Sequence, residues 1–437
     1  MIVSARVLVA TLLAGVLLVS RAEEADFLPV EQRAEDFAGF CRFVEEEYAY
    51  FDLKATDWRR ACRSYASEAA GAKDRAAYVE LLERALGELY DHHAHLGTHT
   101  ARSYRLVPTN SDLFATWSRG RAVLSDVRRG SGAQRAGLAR GMEVVAIDGE
   151  PVETVVARIA PKFLARDDPA ARDWALRVAL AGRRDRDATR LLIRTDDRLR
   201  EVELVAAVSE PTSMLSHRVV GTVGAVFIHN SLGQEALVQA FDRALADMAA
   251  TRALVIDLRD TPSGGNSSVA RGLMGRLVER TLPYQRHELV SEFRATGIRR
   301  VWVEYVSPRG PAFLKPVVVL VGPWTGSMGE GLAIGLNAIR GAPVLGRPMA
   351  HLLGANGETV LPHSKIVVRV PNEKLFHVDG TPREAFVPCP IASSGPASPA
   401  ADPELDAAVE LASRMSRQKS PPACARRTQP ASSTVAR

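Results

Sequence analysis

Between Ala25 and about Leu89 the apolar positions recur at helical spacing. Phe37, Phe40, Val44 and Tyr48 fall on one face of a helix, as do Tyr78, Leu81, Leu82, Leu86 and Leu89 further on. This predicts a helical region of about three helices with those faces as its core, ending at the histidine-rich segment DHHAHLGTH. The pattern then changes. From about Tyr104 to Ala207 short apolar runs alternate with Gly, Asp and Arg, as small strands do. Within that stretch Gly137 and Gly141 permit a tight turn and Leu138 enters a core. Val144, Val145 and Ile147 then form a buried strand that runs into the Asp148-Gly149 turn. From about Val219 the runs GAVFIH, RALVIDLR and KPVVVLVG are apolar, β-branched and separated by helical patterns, which predicts a buried sheet with crossover helices. A last helix begins near Asp402. The Pro-, Ser- and Arg-rich residues 416–437 read as a disordered tail.

A chain of 437 residues suits two or three domains. The pattern divides it into a helical region over 23–103, a β-rich module over 104–207 and an α/β domain over 208–415. The formal net charge is +5, and no basic block is interleaved with aromatics, so nucleic acid is not an expected partner. At the N-terminus, Met1–Arg6 carries one positive side chain, Val7–Val19 is apolar, and Ser20-Arg21-Ala22 offers small residues for cleavage. This predicts a signal peptide over 1–22 and an exported mature chain, periplasmic or secreted, with no integral membrane span. Export permits disulfides. Cys41 and Cys62 lie in successive helical patterns where a local bridge fits, but four cysteines allow three pairings and sequence does not choose among them.

The chemistry concentrates in PWTGSMGEGLAIGLNAIR, directly after the strand KPVVVLVG. Strand, sharp Gly-containing turn, Ser327 and amphipathic helix follow in order. A serine there meets free backbone N–H groups and the positive end of the helix dipole, which favour a developing oxyanion. A plain N-cap is the competing role. A second buried strand, RALVIDLRD, runs into TPSGGN, where adjacent glycines let backbone amides approach a substrate closely.

Together, DLRDTPSGGN and TGSMGE resemble the two signature segments of the tail-specific serine protease family, which includes carboxyl-terminal processing proteases and tricorn. Ser327 and Glu330 match the spacing of the second segment, while Thr261 stands where the first usually has asparagine. The resemblance implies a crotonase/ClpP-like α/β catalytic domain with Ser327 as nucleophile. It also implies an oxyanion hole from the amides of Met328 and of Gly264 or Gly265. Many members activate the serine with lysine, but GRPMAHLLG has none at the expected place, and Lys365 lies too late. The tricorn-like branch uses histidine. LYDHHAHLG matches its pattern and places His93 as general base, with His92 or His95 as neighbouring candidates. Glu384, in PREAFVPCP, is similar to the late glutamate that orients the imidazole. SGAQRAGLARGMEVVAIDGEPV resembles the most recognisable stretch of PDZ domains, implying a module that binds an extended peptide, with Arg119 and Arg121 as candidates for its terminal carboxylate. The histidine spacing fits no standard zinc motif, and no metal or cofactor is implied. The resulting expectation is an exported serine endopeptidase acting on protein or peptide substrates. A non-catalytic binding protein on the same fold is the alternative.

Overall fold

The computed structural model describes residues 27–205, 213–391 and 402–417. The expected signal peptide, Cys424 and nearly all of the expected tail lie outside them. Three helices open the described chain: α1 (Val30–Glu47), α2 (Trp58–Ala70) and α3 (Arg75–Gly87). Asp57 and Asp74 cap α2 and α3, each accepting a first-turn backbone N–H. Phe37, Phe40, Val44, Tyr78, Leu82 and Leu86 are buried together, as the helical spacing requires. A disulfide joins Cys41 to Cys62 across α1 and α2.

After the short strand β1 (His95–Leu96) comes a β-rich module. Its elements are β2 (Leu113–Ser118), β3 (Arg121–Val127), α4 (Gly132–Arg135), β4 (Glu143–Ile147), β5 (Glu150–Pro151), α5 (Val152–Ile159), α6 (Pro169–Ala181), β6 (Ala188–Thr195) and β7 (Arg198–Val205). The sheet runs β2-β3-β4-β6-β7, with β5 paired to β4. Leu138, Val144 and Ile147 lie in a core with Leu176, Leu180, Leu191 and Ile193, so the stretch from Pro161 to Leu204 completes this sheet and covers it.

The α/β unit comprises β8 (Leu215–Val220), β9 (Val223–His229), α7 (Ala236–Asp247), β10 (Ala253–Asp260), α8 (Ser267–Met274), β11 (Leu282–Leu289), α9 (Val290–Thr296), β12 (Arg300–Val306), β13 (Val317–Val321), α10 (Met328–Arg340), β14 (Val344–Gly346), β15 (Ala355–Val360), β16 (Val367–Phe376) and α11 (Pro403–Met415). One sheet has the order β14-β13-β10-β9-β8, with β9, β10, β13 and β14 parallel and β8 antiparallel at the edge. Alternation sends Leu254, Ile256, Val317 and Val319 into a core with α7, α8 and α10. Their neighbours Val255, Val318 and Leu320 pack against Leu405, Ala408 and Ala412 of α11. Both faces are covered, hence the unbroken apolar runs. A second sheet, β1-β16-β11-β12 with β15 beside β16, is antiparallel. Leu353, Leu361, Ile366, Val368 and Val370 share one core with the helical region, which fixes that region over this sheet.

Candidate active site

Strand β13 is buried at every position and ends in the turn Gly322–Gly326. Thr325 anchors that turn to the end of β10: its hydroxyl donates to the Leu258 carbonyl at 2.8 Å and accepts the Gly322 N–H at 3.0 Å. The chain then enters α10 through Ser327, whose φ of 50° and ψ of −114° lie where non-glycine residues are rare. Such a conformation costs about 1–3 kcal/mol and persists only where its surroundings enforce it. Here they do. The Glu330 carboxylate accepts the Ser327 N–H at 3.0 Å, and Arg383 Nη1 donates to the Ser327 carbonyl at 3.3 Å.

The glycine turn after β10 closes against the serine. Gly264 has φ +67°, and a β-carbon there would stand 2.4 Å from Ser327 Cβ and 2.7 Å from the Met328 nitrogen. Only glycine fits. Of the two glycines expected to supply an amide, Gly264 spends its N–H inside the turn, on the Thr261 carbonyl at 3.1 Å. Gly265, the other of the two, lines the cavity in front of Ser327. Met328 begins α10, where first-turn amides have no intrahelical acceptor.

The histidine segment reaches the same cavity, of about 680 Å³, whose lining includes His93, Ser327, Met328 and Gly265. Asp91 holds the His93 N–H at 2.9 Å and is itself held by the Tyr48 hydroxyl at 2.8 Å. His93 Nδ1 meets the Leu353 carbonyl at 2.6 Å. A carbonyl only accepts, so Nδ1 carries the proton and the neutral ring keeps its lone pair on Nε2. Burial, opposed by that hydrogen bond, lowers the imidazole pKa to about 4. Among the described residues no hydrogen bond joins His93 directly to Ser327 or to Glu384, so the direct contacts expected of a closed triad are not made.

Glu384 lies in the short turn Arg383–Ala385, its carbonyl accepting from His351 Nδ1 at 3.0 Å. Its carboxyl Oε2 is buried without a partner, as is the Tyr50 hydroxyl. Burial raises both groups, and the Glu384 charge raises the phenol further. The neighbouring His92 and His95 also line this cavity, but each ring has a partner of its own. His92 stacks on Trp174 at 6.0 Å between centroids, while His95 Nδ1 turns to the Leu96 carbonyl and His99 pairs with Glu83. Lys365 is exposed, with its ammonium on the Pro362 carbonyl. Arg119 and Arg121 stand at the β2–β3 turn, where Arg121 faces Glu143 at 3.6 Å.

Residues 223–386 match peptidase family S41, and residues 29–87 match the tricorn protease C1 domain. The chain carries an S41 peptidase domain. The S41 match takes in Ser327, both glycines and Glu384, whereas the tricorn match stops short of His93. Mature CPAF complexed with lactacystin is similar in fold, with a TM-score of 0.55, 16% identity, and coverage of 89% of this chain and 98% of that one. The photosystem II D1 C-terminal processing protease gives 0.54, 16%, 87% and 97%. No curated protein sequence matches the chain.

Sequence reasoning missed three groups at the S41 site. Arg383 is buried and donates to the carbonyls of Ser327, Leu352 and Gly354, gathering the serine turn and the His93-bearing wall around one guanidinium. Glu330, which the sequence marks only by its spacing from Ser327, is buried near Arg383, and burial raises it to about 7. The third group, on β11, β12 and β16, places Gln285, His287, Trp302, Glu304 and Glu373 in the cavity wall.

Proposed function

We propose that the chain is an exported serine endopeptidase that cleaves protein substrates through an acyl-enzyme on Ser327. One observation carries this reading: a serine in a strained conformation at a helix start, pressed against a glycine that admits no side chain, faces a cavity shared with His93. In the first step His93 Nε2 takes the hydroxyl proton as Ser327 Oγ attacks the substrate carbonyl carbon. The oxyanion accepts from the Met328 and Gly265 N–H groups. The imidazolium then protonates the leaving amine, and water repeats the sequence to release the acid and regenerate Ser327. Closing the cavity around substrate brings the imidazole within reach of the hydroxyl, since unliganded catalytic hydrogen bonds are often long. Glu384, whose charge reaches the Tyr50 phenol, is taken as the carboxylate that supports the base indirectly.

The same reading takes the parallel sheet and its helices as a crotonase/ClpP-like catalytic domain within 208–415, preceded by a helical region over 23–103. It takes residues 104–207 as a PDZ-like module that receives an extended peptide at a sheet edge, with Arg119 and Arg121 near its end. Export is supported by the apolar N-terminal pattern and by the Cys41–Cys62 bridge, which suits an oxidising compartment. The test is incubation of the purified chain with denatured casein and identification of products by mass spectrometry. Internal cleavage that disappears in Ser327→Ala is expected. An intact substrate with both proteins would favour the non-catalytic binding role.

A further inference from the structure

The cavity wall beside Ser327 is built as an acceptor pocket. Gln285 and His287 are both nearly fully buried on β11, one β-repeat apart and so on one face. His287 Nδ1 lies 2.9 Å from the Glu373 carboxylate on β16 and its Nε2 lies 3.0 Å from Gln285 Nε2. An ionised carboxylate only accepts, so Nδ1–H donates to Glu373 and Nε2 accepts from the Gln285 amide. That leaves Gln285 Oε1, a buried acceptor with no donor in the structure. It lies against the start of α10: a β-carbon on Gly331 would stand 3.0 Å from it and 2.7 Å from Met328 Cε. Glu304 Oε2 lies 3.8 Å from His287 Nε2 and accepts from the Tyr284 hydroxyl. Trp302 stacks on the imidazole, its centroid 5.0 Å away at 18°.

Local cations do not neutralise this pocket. Of the described residues lining the cavity, the arginines are Arg369 and Arg383. Arg369 is paired with Glu358 at 2.9 Å, and Arg383 is committed to three carbonyls. Arg300 lies over the Trp302 ring but pairs with Glu292. What remains is a free amide oxygen, two carboxylates and the indole of Trp302, a set that an ammonium or guanidinium satisfies and an aliphatic side chain leaves unpaired.

We propose that this pocket selects substrates by a lysine or arginine side chain flanking the scissile bond, with Gln285 Oε1 and Glu304 as its acceptors. The inference rests on the endopeptidase reading of Ser327, but its test does not require turnover. In the Ser327→Ala protein, calorimetry compares an acetylated, amidated Ala-Ala-Lys-Ala-Ala peptide with the same peptide carrying norleucine. The lysine peptide is expected to bind at least about tenfold more tightly, and Glu304→Gln and Gln285→Leu should each reduce that ratio to about threefold or less. Equal affinities, tighter binding of norleucine, no binding of either peptide, or a ratio unchanged in both variants would each overturn the proposal. An aspartate peptide binding best would do so too, showing donors where acceptors are inferred. Covalent labelling of Ser327 in the wild-type chain reports separately on the endopeptidase reading, so the two fail independently.

Discussion

Ser327 is held in its conformation by its neighbours, so its reactivity depends on residues that never touch substrate. Gly264 is the most exacting of them. Gly264→Ala places a methyl group 2.4 Å from Ser327 Cβ at a φ of +67°. It should cost on the order of 2–4 kcal/mol in stability or an equivalent displacement of the serine. Urea unfolding together with the labelling rate of Ser327 measures both, and an alanine variant equal to wild type in each would contradict the packing described. Two buried groups set the pH behaviour. Burial holds the His93 pKa at about 4, below the ordinary value of 6.5, so the imidazole stays neutral well into acid. The acid limb of the acylation rate should therefore have its midpoint near pH 4, and a midpoint near 6.5 would show an exposed histidine at work. Glu330 shifts the other way, from 4.5 up to about 7. A carboxyl whose folded pKa is raised contributes stability that is full below 4.5 and is lost as pH rises through about 7. Glu330→Gln should flatten that decline, which amounts to on the order of 3 kcal/mol. The same slope from pH 5 to 8 in urea unfolding of both proteins would argue against it.

At the scale of elements, the sequence was most informative where neighbours in sequence are neighbours in space. The helical spacing of Phe37, Phe40, Val44 and Tyr48 becomes one buried face of α1 continuing past its end. The apolar runs become β9, β10 and β13, because a sheet covered on both faces needs apolar residues at successive positions. The turn-serine-helix order also survives, since it is local. The antiparallel sheet facing Ser327 was not legible. RVWVEYV and LPYQRHEL alternate imperfectly, and Gln285, His287, Trp302, Glu304 and Glu373 converge only because β11 pairs with β12 on one side and with the much later β16 on the other. Arg383 was not legible either, because its acceptors are backbone carbonyls, which no side-chain pattern announces. The Cys41–Cys62 bridge fitted the sequence pattern, which left the pairing open, and its worth can be measured. Replacing Cys41 and Cys62 by alanine removes a closure spanning 21 residues and should cost about 3 kcal/mol, seen as a lower Tm with the α/β unit still folded. An unchanged Tm would place the unfolding transition elsewhere.

Across the whole molecule, the site is assembled from segments that meet only in the folded chain. The helical region delivers His93 because its core continues into β16 and the Leu353 segment. The β-rich module is tied to the serine turn by Trp324, three residues before Ser327. Its indole packs edge-on against Phe114 and donates to the Ser111 carbonyl at 2.7 Å. Ion pairs of Arg129 with Asp402 and of Arg347 with Asp126 add to that seam. Trp324→Phe keeps an aromatic ring, smaller than the indole, and removes the N–H donor. It should increase hydrogen exchange along the seam and slow hydrolysis of a protein substrate severalfold, with a smaller effect on a small acylating reagent. Equal loss of both would mean that the module completes the catalytic fold and does not act through substrate binding.

We propose that Ser327 is a nucleophile activated by His93. Intact-mass measurement after reaction with a fluorophosphonate addresses it most directly, with wild type, Ser327→Ala and His93→Ala compared side by side. One adduct on Ser327 of the wild type is expected, none on Ser327→Ala, and a rate at least about a hundredfold lower for a folded His93→Ala. Labelling of His93→Ala at the wild-type rate, or no adduct on a folded wild-type chain, would contradict it.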